Sequence, residues 1–366
     1  MTTAFDDIRP YFDSEIPAAM SRIVDTVYFP QVAKMVYPDT PSHLVRERVL
    51  GIASIHQWQS SCMTDAVQRI IADTSAGLTS SGFELLTGRK GHLIVSNHRD
   101  ITLDAFLLQH LLLSKRRSTT FIVFGDNLLT NPLVRELFLT NKLVRMPRGG
   151  NRRQFYESLS HLSAYIHHLI VEQGQSVWIA QRNGRAKDGR DMTSEAVIKM
   201  LCMNHPDHPQ KALANLNILS MAASYEWDPC DVLKTNELYR SRREAYVKAD
   251  GEDLNSIVTG IGGYKGRMHI ALSRPLRRTA LMATDSRNLS TYVAKALDRS
   301  IHRIYHLMPT NYLAYDMLHG THRHQLRYSP STQHAFLQRL DTLPTDEHRD
   351  IFLRIYANPV EASLNR

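Results

Sequence analysis

Cysteine is scarce in this sequence, which has only three among 366 residues, at positions 62, 202 and 230. An odd number at such wide spacing fits neither a disulfide framework nor a cysteine-based zinc site. A reducing cytoplasm is therefore the expected compartment. Hydrophobic residues make up 43% and charged residues 22% of the chain. These values are close to those of an average soluble protein and exclude a disordered or fibrous chain.

Long hydrophobic runs are missing as well. No stretch reaches the roughly 18 apolar residues that a membrane-spanning helix needs. The most apolar windows, residues 92–95 and 105–113, are short and separated by charges. Residues 1–7 are acidic and no apolar run follows them, so a secretory signal peptide is not expected. The Gly-x-Ser-x-Gly pattern of a nucleophile elbow is also absent.

Positive charge is in excess, because 44 Lys and Arg residues stand against 36 Asp and Glu residues, for a net charge of +8. Such a balance suits anionic partners: phospholipid head groups, phosphorylated substrates, acidic carrier proteins or nucleic acid. The sequence shows no known nucleic-acid-binding module and no alternation of aromatic and basic residues. A nucleic-acid partner is therefore not expected.

Hydrophobic periodicity divides the chain into three parts. Residues 1–85 read as an N-terminal helical region, with helices at 16–27, 42–53 and 62–71. Residues 86–288 alternate short β-like runs with longer helical segments, and residues 289–366 read as a C-terminal helical extension. The β-like runs are 92–96, 120–124, 176–180, 218–225 and 268–273, and the helical segments are 101–114, 132–140, 154–172 and 193–202. This alternation predicts an α/β fold with a sheet flanked by helices.

Functional residues in such folds gather where strands end and helices begin. The first polar cluster, residues 96–104, lies between a β-like run and an apolar helix and contains His98, Asp100 and Asp104. A carboxylate that holds one imidazole nitrogen allows the other to take a proton from a substrate. Taken alone, the segment is equally well explained by Asp100 as a helix cap and His98 as a polar loop residue.

Three further clusters follow β-like runs. Gly125 and Asn127 form a turn, with Arg145 and Arg148 downstream, a set that could hold an anion. Residues 182–190 contain four cations and two glycines, which suits a phosphate but matches neither a Walker loop nor a dinucleotide-binding pattern. The fourth cluster, residues 221–230, includes Glu226. Taken singly, these clusters also read as turns and solvated loops.

Together the four clusters resemble the four sequence blocks of the glycerolipid acyltransferases, with closest similarity to the bacterial glycerol-3-phosphate acyltransferases. The first block of that family is His-x-x-x-x-Asp, often opening His-Arg, as at positions 98–99 here. The second resembles residues 125–128 with the downstream arginines, the third resembles 182–189, and the fourth resembles Tyr225-Glu226. The resemblance covers approximately residues 91–275, and four blocks in order are more specific than any one of them.

Two departures from the family pattern stand out. Counting from His98, the position of the family's aspartate is occupied by Leu103, and the nearby carboxylates belong to Asp100 and Asp104. Asp104 is the favoured partner, because one extra residue in the turn could restore its position, with Asp100 as the alternative. The usual glutamate of the third block is absent, and Arg182 or Asn183 stands in its place.

The resemblance implies transfer of a fatty acyl group from acyl carrier protein or coenzyme A to a hydroxyl of glycerol-3-phosphate or lysophosphatidate. His98 would act as general base, assisted by Asp104 or Asp100. The implied substrate-binding residues are Asn127, Arg145, Arg148, Gly184, Arg185, Lys187 and Glu226. No metal and no cofactor beyond the acyl thioester would be needed. An O-acyltransferase for a lyso-aminolipid is an alternative.

The charge and the lack of a spanning segment lead us to expect peripheral attachment to the inner face of the cytoplasmic membrane. Two other functions remain open. A non-catalytic acyltransferase-like protein could bind a lipid or an acyl carrier. A metal hydrolase could use the histidine pairs at 205–208 and 322–324, although surface histidine pairs are common in a chain with 18 histidines.

Overall fold

A computed structural model describes residues 4–86 and 90–364 of the chain. Within these ranges seven strands form a single mixed sheet, as the α/β prediction required. In chain order the strands are β1 (Gly77–Ser81), β2 (Leu93–Ser96), β3 (Phe121–Gly125), β4 (Leu143–Met146), β5 (Val177–Ala180), β6 (Leu219–Tyr225) and β7 (Arg267–Leu272).

The strand order in the sheet is β1-β7-β6-β2-β5-β3-β4. All neighbouring pairs are parallel except β6 and β7, which run antiparallel. Every residue of β2 and β6 is buried, as expected for strands that are covered on both faces. Because β2 to β6 are mutually parallel, their carboxyl ends lie along one edge of the sheet, and the polar clusters of the sequence follow those ends.

Seventeen α-helices surround the sheet in the described residues. They are α1 (Ile16–Val24), α2 (Phe29–Val36), α3 (Ser42–Leu50), α4 (Ile55–Trp58), α5 (Thr64–Thr74), α6 (Leu103–Ser114), α7 (Pro132–Leu139), α8 (Arg152–His167), α9 (Glu195–Leu201), α10 (Pro209–Asn215), α11 (Asp231–Ser241), α12 (Glu252–Gly262), α13 (Arg278–Ala283), α14 (Leu289–Ile304), α15 (Pro309–His319), α16 (Pro330–Asp341) and α17 (Asp346–Leu364). Local signals explain several helix starts. Asn131 and Asn151, for example, each accept hydrogen bonds from backbone amides in the first turn of the helix that follows.

The helices cover both faces of the sheet. One face packs against α8, α9 and α14, and the other packs against α6 with contributions from α7 and α12. Helix α6 is apolar almost all round, because it lies between the sheet and α5. Helices α1 to α4 form a separate apolar cluster that meets α7, and α15, α16 and α17 form another near α11.

Two strands were not predicted. The chain segment expected to be helical up to residue 85 contains β1, and β4 occupies part of the basic segment that follows the turn predicted at residues 125–127. Strand β1 contains one large apolar residue and lies at the sheet edge, so it lacks the run of apolar residues that identifies a buried strand. Helix α2, in the N-terminal region, was also missed. Among the described helices, none combines the length and apolar composition needed to cross a bilayer.

Candidate active site

A cavity of about 470 Å³ opens at the carboxyl ends of β2 to β5. It is lined on one side by polar and basic residues and on the other by apolar side chains. The polar set is His98, Asn127, Arg148, Arg182, Asn183, Gly184, Arg185, Lys187, Ser194, Lys248 and Asp253. Ligand sites in parallel sheets are expected at this edge, because the loops that follow the strands converge there.

His98 and Asp104 form a hydrogen-bonded pair in this cavity. Nδ1 of His98 lies 3.1 Å from Oδ2 of Asp104, and an N–H at Nδ1 donates to that oxygen. Asp104 stands in the first turn of α6, and His98 stands two residues after the end of β2. The pairing leaves Nε2 as the nitrogen that is open to a substrate, which is the arrangement required of a general base.

Asp104 is fully buried and accepts four hydrogen bonds. Its Oδ2 accepts from the backbone amides of Arg99 and Asp100 as well as from His98, and its Oδ1 accepts from the phenol of Tyr225 at 2.7 Å. These four donors hold the carboxylate in one orientation. The imidazole of His98 also packs edge-on against Phe124 and Trp178, which limits its rotation.

Asp100 is not hydrogen-bonded to the imidazole of His98 and lies instead at the start of the following helix. Its Oδ1 accepts from the amides of Thr102 and Leu103 at 2.9 Å, so it caps the start of the helical segment. Its Oδ2 lies against Gly260 of α12, where an added side-chain carbon would overlap it. Burial, and then the nearby charge of Asp104, raise the pKa of Asp100. No hydrogen bond joins Asp100 to His98 among the described residues.

The loop that carries His98 is fastened to the basic loop after β5. Arg99, although it neighbours His98, turns away from the cavity, and its guanidinium donates to Asp191 at 2.6 Å and to the carbonyl of Gly189. The carbonyl of His98 accepts from the amide of Ala186 at 2.7 Å. The two residues of the His-Arg pair therefore differ in role: the histidine faces the cavity and the arginine joins two loops.

The basic side of the cavity is dominated by arginine. Arg185 is almost entirely buried; its Nη2 donates to Ser256 on α12, and its Nη1 has no partner among the described residues. Arg148 lies over Gly125, where a side-chain carbon would overlap its guanidinium. Burial lowers the pKa of Arg148. An unpartnered buried guanidinium nitrogen is a strong site for an anion, because an unmet buried donor is costly.

The other predicted residues of these blocks lie in the cavity with partners of their own. Lys187 is paired with Glu237 of α11, and Asn127 donates to Asp253 at 3.1 Å. Gly184 has a positive φ of 73° at the cavity wall, a backbone conformation that glycine adopts without strain. These residues shape the basic side, whereas the cavity cations without an ion pair in the described chain are Arg148, Arg182 and Arg185.

Two predicted substrate-binding residues lie elsewhere. Arg145 is absent from the cavity lining, and its guanidinium donates to the carbonyl of Asp6 in the N-terminal segment. Glu226 also lies outside the cavity and forms a bidentate pair with Arg267 at 3.0 Å. Each is a correction to the sequence interpretation. Arg145 is displaced because β4 directs it toward the N-terminal segment, and Glu226 is displaced because it sits one residue past the end of β6.

Several cavity residues had no signal in the sequence. Helix α12 and the segment before it supply Asp253 and Lys248 to the cavity from a part of the chain where no motif was seen. Ser256 of the same helix lies behind the cavity wall and accepts from Arg185. In the fourth block, which includes both Tyr225 and Glu226, the sequence favoured Glu226 as the binding residue. In the structure neither residue lines the cavity, and Tyr225 contacts the His98–Asp104 pair through Asp104.

The apolar side of the cavity extends away from His98 along β3, β4 and β5 toward α8 and α9. Its side chains are Ile101, Val123, Phe124, Leu128, Met146, Phe155, Leu159, Trp178, Ile179, Ala180, Ala196, Val197 and Met200. His98 thus lies between a cationic surface and an apolar one. Among residues 4–86 and 90–364, no group of three or more His, Cys, Asp or Glu side chains is placed to hold a metal ion.

Two comparisons with known proteins find similarity to acyltransferases. Residues 77–207 match the family model described as Acyltransferase, a stretch that contains the first three of the four blocks. A solved structure, the 1-acyl-sn-glycerophosphate (LPA) acyltransferase PlsC from Thermotoga maritima, is 10% identical, with 79% of this chain and 95% of that chain covered and a TM-score of 0.39. No curated protein matches the chain. Residues 77–207 of this chain are therefore similar to the Acyltransferase family.

Proposed function

We propose that this acyltransferase moves a fatty acyl group from the thioester of acyl carrier protein or coenzyme A to the hydroxyl of a phosphorylated glycerolipid precursor in phospholipid synthesis. Glycerol-3-phosphate and lysophosphatidate are the acceptors that fit. The observation that carries the proposal is the position of His98, paired with Asp104, between a group of arginines and an apolar channel in the same cavity.

The proposed reaction needs one base and no covalent enzyme intermediate. Nε2 of His98 takes the proton from the acceptor hydroxyl as its oxygen attacks the thioester carbonyl. The tetrahedral intermediate then collapses, the carbon–sulfur bond breaks, and the leaving thiolate receives the proton from the imidazolium. Asp104 stabilises the imidazolium that forms in between, because its Oδ2 accepts from Nδ1.

The two sides of the cavity suit the two ends of the reaction. Arg148, Arg182 and Arg185 present guanidinium groups that can pair with a phosphate on the acceptor, and Gly184 lets the backbone approach it. The apolar channel suits an acyl chain, since burying methylene groups there is worth about 0.8 kcal/mol each. Lys187 contributes less net attraction, because Glu237 already pairs with it.

The test of the proposed function is acyl transfer by the purified protein. Acyl carrier protein and coenzyme A thioesters are each offered with glycerol-3-phosphate, lysophosphatidate or a lyso-aminolipid. Esterification of a phosphorylated acceptor is the expected result. Esterification of the lyso-aminolipid alone would replace the proposed acceptor, and binding of lipid or carrier without transfer by any pair would favour the non-catalytic alternative.

Replacing Arg185 by glutamine should raise the KM of the phosphorylated acceptor by about ten- to a hundredfold, because a buried charge-assisted contact to phosphate is lost. The KM of the acyl donor should change little. Arg190→Gln is the matched control, since Arg190 belongs to the same loop but is exposed and lies outside the cavity lining. Equal effects of the two substitutions on the acceptor KM would contradict the assignment of Arg185 to the phosphate.

Peripheral attachment to an anionic membrane is part of the proposal. Phe155 lines the cavity and is 40% exposed, Tyr156 beside it is 63% exposed, and Arg152 and Arg153 lie exposed in the same helical turn. Aromatic and basic side chains together favour an anionic bilayer surface. We expect the protein to float with anionic vesicles at low salt and the Tyr156→Ser/Arg152→Gln variant to float less. Equal flotation of both proteins would contradict this face as the attachment site.

A further inference from the structure

Tyr225 is the last residue of β6 and is almost completely buried, at 3% exposure. Strand β6 is paired with β2, whose end leads into the His98 loop. Tyr225 therefore approaches Asp104 from the neighbouring strand. Its phenol donates to Oδ1 of Asp104 at 2.7 Å, while Oδ2 is the oxygen used by His98 and the loop amides.

Among the described residues, the phenol of Tyr225 is the sole hydrogen-bond donor to Oδ1 of Asp104. The carboxylate of Asp104 is buried, so an oxygen without a donor would be left unsolvated. Burial, together with the charge of Asp104, raises the pKa of Tyr225 well above its ordinary value, so the phenol remains protonated and can donate at neutral pH. The bond also limits rotation of the carboxylate about its Cβ–Cγ bond, which directs Oδ2 toward Nδ1 of His98.

We propose that Tyr225 is a positioning residue of the acyltransferase, which acts on catalysis through Asp104 by orienting the carboxylate that holds His98. The proposal rests on the proposed function of His98 as general base. Tyr225 is absent from the residues that line the cavity, so it does not bind substrate directly. Its effect is therefore on the rate of the chemical step and not on the binding of either substrate.

The first experiment compares kcat and KM for Tyr225→Phe, which removes the hydroxyl and keeps the ring. We expect kcat to fall by about ten- to a hundredfold, with the KM of acyl donor and acceptor each within about threefold of wild type. A purely structural role would instead lower the thermal midpoint and the amount of folded protein while the folded fraction retained its kcat. Tyr11→Phe is the matched control, since it also removes a tyrosine–carboxylate hydrogen bond, to Glu136, but outside the cavity.

A double-variant cycle tests whether Tyr225 acts through Asp104. If it does, Tyr225→Phe should cost little further activity once Asp104→Asn has been introduced, because the carboxylate that it orients is gone. Additive losses in kcat would overturn the proposal. Proton spectra of histidine-labelled protein give a second readout: the Nδ1–H signal of His98 should shift in Tyr225→Phe and remain unchanged in Tyr11→Phe.

The activity of His98→Ala distinguishes failure of the proposed general base from failure of the positioning role of Tyr225. If His98→Ala retains full activity, the proposed function of His98 fails, and the proposal for Tyr225 fails with it. If His98→Ala is inactive but Tyr225→Phe has the kcat of wild type, the general base stands and the positioning role of Tyr225 alone is overturned. If both lose kcat and the cycle is non-additive, the proposal is supported.

Discussion

Replacing His98 by alanine is expected to lower kcat for acyl transfer by about a thousandfold, because general-base catalysis typically contributes two to four orders of magnitude. The two nearby carboxylates are not placed to substitute for the imidazole, since Asp104 faces Nδ1 from the buried side and Asp100 is engaged in capping. The KM of both substrates should change little, because the arginines and the apolar channel remain. Steady-state kinetics on purified protein, with circular dichroism to verify folding, measures this.

The same substitution has a readout in cells. Membrane lipids from cells that rely on this chain are compared by mass spectrometry with those from cells that carry His98→Ala. We expect one class of acylated product to decline and its precursor with one acyl chain fewer to accumulate. A stably produced variant with an unchanged lipid profile would contradict the catalytic role of His98, and the non-catalytic binding protein would then become the better explanation.

The second large effect concerns the choice between the two carboxylates near His98. Asp104→Asn is expected to lower kcat by about two to four orders of magnitude, because the amide no longer stabilises the imidazolium and can hold the wrong tautomer. Asp100→Asn is the matched control, since it keeps the acceptor oxygen that caps residues 102 and 103. Its kcat should stay within about threefold of wild type. The reverse ranking of the two variants would assign the role to Asp100.

Asp100→Asn also has an expected effect on stability. The pKa of Asp100 is raised in the folded protein by burial and by Asp104. Above the ordinary carboxyl range the folded state therefore holds more protons than the unfolded state, and its free energy of unfolding decreases as the pH rises through that interval. Asparagine has no such titration. The stability of Asp100→Asn relative to wild type, measured by denaturant unfolding, should accordingly increase as the pH rises above the ordinary carboxyl range.

The spacing after His98 allowed the sequence to narrow the carboxylate partner of the histidine to two residues. The departure from the family spacing leaves Asp100 and Asp104 as alternatives, and the sequence favours Asp104 because one inserted residue could restore its position. The structure places Asp104 against Nδ1 and Asp100 at the helix start. The assignment of their catalytic roles stays a prediction, since kinetics and not geometry decides it.

For two arginines of the second cluster, the sequence pattern did not distinguish the residue that lines the cavity from the one that does not. Arg145 and Arg148 are three positions apart and are equivalent in the sequence pattern, yet Arg148 lines the cavity and Arg145 contacts the N-terminal segment. The difference arises because residue 145 belongs to β4, a strand that the sequence did not reveal, whereas residue 148 lies in the loop after it. Side-chain direction in a strand depends on its pairing, and pairing is a long-range property.

What the sequence determined by itself is local and periodic: alternating apolar runs predicted an α/β sheet, and four polar clusters after those runs resemble the blocks of an acyltransferase. What only the tertiary structure decided is which side chains from distant segments meet. Edge strand β1, the contribution of α12 to the cavity, and the hydrogen bond from Tyr225 to Asp104 all join parts of the chain far apart in sequence. Periodicity reports the face that a residue turns toward the core, whereas strand order and register determine its neighbours there.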